Sequence, residues 1–180
     1  MCNQCETNPV YEFTNQRKLC KSCFVRYFQK KIFYVIRKFK MAHSGDMIGY
    51  KNNKGFRDVV LEDVLKMFAE KANANLIKSS KANKIAISST LDSETDEITH
   101  ELMKENSKMK FAPVEKNIIK PLYLFLDEEV LLYAKIRKLK FKEIKNKKDK
   151  ISLFIDELEE KHPEIKRAIV NGILKMENLR

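Results

Sequence analysis

The chain has 180 residues, 43% of them hydrophobic and 34% charged, a composition typical of a globular protein rather than a disordered one. Its formal net charge is +11. It contains only four glycines, too few to favour a glycine-rich phosphate-binding loop. No apolar run reaches the ~18 residues of a membrane span, and no signal-like leader is present. We therefore expect a cytoplasmic protein with one mid-sized domain and a small appendage.

All four cysteines lie near the start of the sequence, with the spacing Cys2-x2-Cys5-x14-Cys20-x2-Cys23. Each Cys-x-x-Cys turn can present two thiolates to one ion, and a hairpin across the intervening residues would bring the turns together. This spacing predicts a structural zinc site, while an iron–sulfur cluster and disulfides remain alternatives. Clustered cysteines of this kind are typical of a metal site in a reducing compartment.

Residues 1–24 are thus predicted to form a zinc knuckle, with a short strand over 10–13, and residues 25–41 a basic amphipathic helix. Apolar side chains recur at helical spacing from residue 24 onward, at Phe24, Phe28, Ile32, Val35, Ile36 and Phe39. The opposite face carries Arg26, Lys30, Arg37 and Lys40, with Phe33 among them and Tyr27 and Tyr34 at its flank. Such a face can bind phosphates and stack on bases, or it is an ordinary solvent-exposed face.

Residues 42–57 are predicted to be a linker or loop, and residues 58–180 the main domain. In that domain the patterns predict the following: a helix capped by Asp58, a strand over 84–89, a helix over about 93–106 started by Thr90 or Asp92, a loop over 107–119, a helix from Asp127 to about Leu139, and two last helices separated by His162-Pro163. Few strands are visible, so we expect a helix-dominated α/β fold with a small sheet.

Positive charge is concentrated in two blocks. Residues 1–41 hold nine basic and two acidic residues, and residues 135–150 again hold nine and two. Two basic blocks suit a polyanion, most simply a nucleic acid, although a general lysine-rich composition is the alternative for the second block. The predicted RNA contacts are Arg17, Lys18, Lys21, Arg26, Lys30, Phe33, Arg37, Lys40, Lys138, Lys140 and Lys142.

The sequence resembles the PP-loop tRNA thiolation enzymes, in the cytosolic and archaeal branch that makes 2-thiouridine. Four segments carry the resemblance: Leu19-Cys20-Lys21-Ser22-Cys23-Phe24, Leu91-Asp92-Ser93-Glu94, Ile119-Lys120-Pro121-Leu122 and Tyr133-Ala134. The resemblance implies an N-terminal zinc ribbon, a PP-loop α/β domain, tRNA as ligand and a role in wobble-uridine thiolation.

Several parts of the family pattern are missing. The family's Ser-Gly-Gly-Lys-Asp-Ser loop, which binds ATP phosphates, is represented only by Ser44-Gly45-Asp46. The first strands of the nucleotide-binding half, the catalytic cysteines and the second metal knuckle have no visible counterpart. The resemblance therefore implies a truncated, degenerate relative, for which we predict neither catalytic nor cofactor-binding residues beyond the zinc ligands.

We expect a non-catalytic tRNA-binding protein, an accessory or pseudo-enzyme acting beside a full-length thiolation enzyme or as a homodimer. Three alternatives remain: a zinc-knuckle DNA-binding or transcription-associated protein, an active nucleotide-dependent enzyme with an unusual site, and a protein-interaction module stapled by zinc. Acidic residues 92–97 could suggest a divalent-metal cluster, but acids in the first turn of a helix more simply complement its dipole.

Overall fold

The computed structural model describes residues 1–79, 81–104, 111–143 and 149–177. The elements are, in chain order, β1 (Tyr11–Glu12), β2 (Lys18–Leu19), α1 (Lys21–Lys38), β3 (Met47–Tyr50), α2 (Phe56–Ala72), β4 (Asn75–Ile77), β5 (Lys84–Ala86), α3 (Leu91–Met103), β6 (Val114–Glu115), β7 (Ile118–Ile119), α4 (Asp127–Ile136), α5 (Lys150–Lys161) and α6 (Ile165–Glu177). Helices thus dominate an α/β fold, as predicted. None of the described helices has both the length and the apolar character of a membrane span.

The N-terminal segment is an antiparallel hairpin in which Tyr11 pairs with Leu19 and Glu12 with Lys18. Helix α1 follows at once, and its predicted apolar stripe is buried from Phe24 to Ile36. The helix begins three residues earlier than its apolar pattern indicates, because Cys20 serves as the extended N-cap residue. The second Cys-x-x-Cys turn is therefore also the first turn of α1.

A five-stranded sheet forms the centre of the main domain, in the order β4-β3-β5-β7-β6. All neighbouring pairs are parallel except β6 and β7. Strand β3 lies inside the sheet, between β4 and β5, which corrects the prediction of a loop over 42–57. Strands β6 and β7 correct that of a loop over 107–119 in its described part. These strands have two to four residues, too few for an alternating pattern to emerge.

Two apolar clusters hold the helices in place. The larger joins sheet residues such as Ile48 and Ile119 to the buried faces of α1, α2 and α4, while the smaller joins α3 to α6 through Leu91, Ile98 and Val170. Helix α1 is thereby part of the main core, and the hairpin it follows is fixed to the domain.

Several polar residues of the sequence lie at the N-termini of helices. Thr90 caps α3 as predicted, and its hydroxyl and that of Ser93 each accept a bond from the other's backbone N–H. Asp58 was predicted to cap α2, but Gly55 occupies the N-cap and Asp58 lies in the first turn. Asp127 likewise follows the N-cap of α4, where the Glu129 carboxylate accepts from the Leu126 N–H.

Candidate metal centre and nucleic-acid interface

The four cysteines converge on one point, as their spacing predicts. Their sulfur atoms all lie within 4.8 Å of one another, with Cys5 and Cys20 3.3 Å apart and Cys23 and Cys5 3.6 Å apart. A tetrahedron of zinc–sulfur bonds of ~2.3 Å has sulfur atoms ~3.8 Å apart. The four thiols therefore fit one tetrahedral ion. They form the one group of metal-ligating side chains of this kind that the described residues contain.

Hydrogen bonds within the N-terminal hairpin position the cysteines of this centre. The Cys2 N–H donates to the Thr7 carbonyl, and the Lys18 N–H donates to the Asn3 side-chain oxygen at 2.6 Å. The Gln4 N–H points at the Cys2 sulfur at 3.5 Å. The first turn is thus tied to the second strand of the hairpin, and the thiols face each other.

The electrostatics of the thiols favour a bound cation. Hydrogen bonds from the Ser22 and Thr7 hydroxyls lower the pKa of Cys20 to about 5, so this sulfur is a thiolate at neutral pH. Burial, together with hydrogen bonding to Cys5, raises the pKa of Cys23. One thiolate suppresses the ionisation of its neighbours, and a dication removes that penalty and releases the protons.

An open groove lies directly beside the metal centre. We call it the basic groove; its volume is about 750 Å³, and it is lined by Gln4, Arg17, Arg26, Tyr27, Lys30, Lys31 and Tyr34. Gln4 comes from the knuckle, Arg17 from the hairpin, and the others from one face of α1 at helical spacing. Because three elements contribute, the groove requires the knuckle to be folded.

The floor of the basic groove is held by a buried ion pair. The Lys31 ammonium donates to both carboxylate oxygens of Glu129, at 3.2 and 3.0 Å, and the Glu129 side chain is fully buried. Burial lowers the pKa of Lys31, and burial beside Glu129 raises that of Tyr27, so Tyr27 stays neutral. The buried Lys31–Glu129 ion pair therefore joins α1, which carries most of the groove, to α4.

Three of the predicted RNA contacts, Arg17, Arg26 and Lys30, lie in this groove. None of the three has an ion pair with another residue in the described part of the chain. Exposed positions elsewhere on α1 and just after it hold Lys21, Arg37 and Lys40, while Lys18 pairs with Glu12 at 3.1 Å. RNA contact at these residues stays a prediction.

Phe33 does not line the basic groove. Its half-buried ring lies 6.3 Å from that of Phe68, and the Lys71 ammonium lies 4.5 Å above it. The ring is therefore occupied by contacts with α2, and Tyr34 takes the groove position that the sequence interpretation gave to an aromatic residue.

The second basic block is exposed at Lys138, Lys140 and Lys142, while its residues 144–148 lie outside the described residues. The Lys142 N–H donates to the Lys54 carbonyl at 2.7 Å. This bond brings the block against the loop between β3 and α2, where Lys51 and Lys54 are also exposed. A second lysine-rich surface thus lies at the carboxyl edge of the sheet.

That edge contains a crevice that the sequence did not reveal. The connection after β3 runs to β4 on one side, and the connection after β5 runs toward β7 and β6 on the other. Open α/β sheets bind ligands at such a reversal of direction. A cavity of about 410 Å³ lies there, and its lining includes Tyr50, Lys51, Asn53, Asp58 and Ser88. The loop after β3 therefore spans 51–55, whereas Ser44-Gly45-Asp46 precedes the strand.

Two backbone N–H groups of the loop over 51–55 are bonded to side chains of this chain. The Asn53 N–H donates to the Asp58 carboxylate at 3.2 Å, and the Lys54 N–H donates to the Asn52 side chain at 2.7 Å. Asp58 also accepts from the Ser88 hydroxyl at 2.6 Å. A carboxylate thus occupies the N-terminal turn of α2, where a phosphate group would otherwise be bound.

The acidic residues at the start of α3 are paired with lysines of this chain. Buried Glu94 contacts the Lys120 ammonium at 2.7 Å, and Asp92 contacts buried Lys166 at 2.7 Å. These ion pairs give Asp92 and Glu94 a structural role.

Sequence patterns missed Gln4 and Lys31 as groove residues. Neither residue can be assigned to the groove until the knuckle and α4 are seen to pack against α1.

Comparison with known proteins gives a fold relationship. No family model matches the chain, and no curated protein matches its sequence. Among solved structures, the U34-tRNA thiolase NcsA from Methanococcus maripaludis, solved with its [4Fe-4S] cluster, superimposes with a TM-score of 0.80. The match has 17% sequence identity and covers 97% of this chain and 86% of NcsA. The chain therefore has the fold of that thiolase.

Proposed function

We propose that this protein binds tRNA through the basic groove and acts as a non-catalytic accessory protein in wobble-uridine thiolation. The observation that carries the proposal is the groove itself, in which Arg17, Arg26 and Lys30 lie beside two tyrosines. Cations without acidic partners bind phosphates by releasing counterions. The thiolase fold supplies the second support, because NcsA acts on U34 of tRNA.

We further propose that the four thiols hold zinc. The sulfur–sulfur distances favour a single ion, because an iron–sulfur cluster places several iron atoms between its four thiolates and so separates them more widely. Zinc in such a closed site is structural: it would hold the hairpin against α1 and fix the Gln4 side of the basic groove.

The non-catalytic role is supported by the crevice at the end of β3. The N–H groups of Asn53 and Lys54 are already bonded within the protein, and the Asp58 carboxylate would repel a triphosphate. No cysteine follows Cys23, so the crevice has no thiolate of this chain to carry sulfur. An RNA-binding protein of this kind would serve a catalytic thiolase as partner, or act as a homodimer.

The test compares two double variants that each remove two positive charges. One removes them from the basic groove, and the control removes them from another part of the surface. Arg26→Ala with Lys30→Ala should weaken tRNA binding about tenfold or more, because two phosphate contacts are lost. The control is Lys161→Ala with Lys175→Ala, which removes two exposed lysines from α5 and α6. Binding is measured by fluorescence anisotropy at fixed salt, and melting temperatures establish that both variants fold.

Equal tRNA affinity for the groove variant and the control variant would remove the basic groove from the account. Binding of duplex DNA as tightly as tRNA would instead favour a DNA-binding protein. If neither nucleic acid binds, the zinc-stapled interaction module is the better description. ATP consumption by the purified protein would contradict the non-catalytic role.

A further inference from the structure

The aromatic side chains of the basic groove are more informative than its charge. A duplex can satisfy a purely cationic surface, because its phosphates lie on the outside. Tyrosine rings have no comparable partner on a duplex, since the faces of paired bases are covered by their neighbours. A groove that combines cations with accessible rings is therefore suited to a nucleotide whose base is unstacked.

Tyr34 is the ring that is available to such a base. Its side chain is 48% exposed, and it lies one helical turn beyond Lys30 and two turns beyond Arg26 on α1. Tyr27 is less accessible, because its half-buried ring has Arg17 at 5.5 Å and Lys31 at 5.6 Å from its centroid. Tyr34 has the ammonium of exposed Lys38 at 5.7 Å from its centroid, and it is the more exposed of the two rings.

The shape of the groove limits what can enter it. Its volume of about 750 Å³ falls within the ~300–1,000 Å³ range of sites that enclose small ligands. Three segments of the chain line it, so a ligand in the groove would contact the knuckle, the hairpin and α1 together. A single extruded nucleotide fits, with its phosphates near Arg26 and Lys30 and its base toward Tyr34.

Gln4 adds a group that can contact the edge of a base. Its side-chain amide offers both donors and an acceptor, a combination that matches a base edge, whereas a phosphate can only accept. The backbone of Gln4 is fixed within the first Cys-x-x-Cys turn, where its N–H points at Cys2. The metal centre therefore fixes the backbone of Gln4 at the groove, and the exposed side chain is available to a ligand.

From these observations we infer that the basic groove binds an unpaired nucleotide of single-stranded RNA, stacked on Tyr34 and contacted at its edge by Gln4. The inference rests on the proposed RNA-binding function and makes it more specific. In tRNA, the ligand would be a looped or terminal segment rather than a helical stem.

The experiment compares two probes of equal phosphate number at one salt concentration. One is a labelled oligouridylate of about twelve nucleotides, which remains unstacked, and the other is an RNA duplex. We expect the zinc-loaded protein to bind the oligouridylate at least about tenfold more tightly. Tyr34→Leu should weaken that binding by about fivefold to a hundredfold, the range of one base stack.

Two control variants test whether the aromatic ring and the Gln4 amide contact the nucleotide. A third variant tests the proposed function independently of this inference. Tyr34→Phe keeps the ring and should bind within about twofold of the wild type, and Gln4→Ala should weaken the oligouridylate but not the duplex. Equal binding of both probes, or equal effects of Leu and Phe at Tyr34, would overturn the inference. The proposed function would survive that result if Arg26→Ala with Lys30→Ala still weakens tRNA binding, and fails if it does not.

Discussion

Cys5 is the exposed thiol of the metal centre, while Cys2, Cys20 and Cys23 are buried. An ion held by these four sulfurs would therefore be reached by chelators and oxidants from the Cys5 side. The buried Cys23 lies in the first turn of α1 and joins the centre to the helix that carries the basic groove. The metal centre is thus linked to the groove through Cys23 as well as through the turn that carries Gln4.

The purified protein should contain about one zinc per chain and be colourless, because a closed four-thiolate site favours structural zinc. Cys23→Ser should lose the metal and lower the melting temperature, since the two Cys-x-x-Cys turns are then no longer joined through the ion. Lys21→Ala changes an exposed neighbour and should keep the metal. Elemental analysis measures both variants. Iron with acid-labile sulfide in place of zinc would contradict this assignment.

At the level of single residues, the spacing of the four cysteines predicted that their sulfur atoms lie together, because two close pairs can be joined by one hairpin. The sequence also predicted Arg26 and Lys30 on one face of a helix, since the helical period fixes which residues share a face. Phe33 shows the limit of that reasoning. The period places it near the basic face, but packing against Phe68 decides what its ring contacts.

Among the elements, the long helices and the strands β1 and β5 were predicted, whereas β3, β6 and β7 were not. Helices α1 and α2 have 18 and 17 residues, enough for an apolar stripe to repeat several times. Strand β3 has four residues, and one of them is Gly49. Glycine weakens a strand pattern, so the sequence of this interior strand resembled that of a loop.

Gly49 is required in β3 by a close approach of the chain. A β-carbon there would overlap the Ser79 carbonyl oxygen and lie 3.0 Å from the Ala82 β-carbon. The connection between β4 and β5 therefore passes directly over β3. This contact holds one side of the crevice, since Ser79 also lines the cavity.

Gly49→Ala should destabilise the protein by about 1–3 kcal/mol or more, because the clash is with backbone that cannot turn aside. Gly172→Ala in α6 is the matched control, since nothing lies within 4 Å of its added β-carbon. That change should be stabilising by about 0.5–1 kcal/mol, as alanine is the better helix former. Urea unfolding measures both. An unchanged midpoint for Gly49→Ala would contradict the packing of the β4–β5 connection on β3.

For the molecule as a whole, the two basic blocks of the sequence become two separate surfaces. The first is the basic groove, and the second joins Lys142 to the loop after β3. Charge counting predicted the blocks but not the crevice between β3 and β5, because the crevice depends on strand order rather than on any local pattern. The order of the strands is a property of the complete fold.

The central claim, that this fold binds tRNA through its basic groove without catalysis, is tested most directly by the salt dependence of tRNA binding. The zinc-loaded wild type and the Arg26→Ala, Lys30→Ala variant are titrated with tRNA over a range of salt, with duplex DNA of equal charge as competitor. We expect tRNA to outcompete the DNA at near-physiological salt, and the variant to lose about two units of the log–log salt slope. Equal competition by DNA, or an unchanged slope in the variant, would contradict the account.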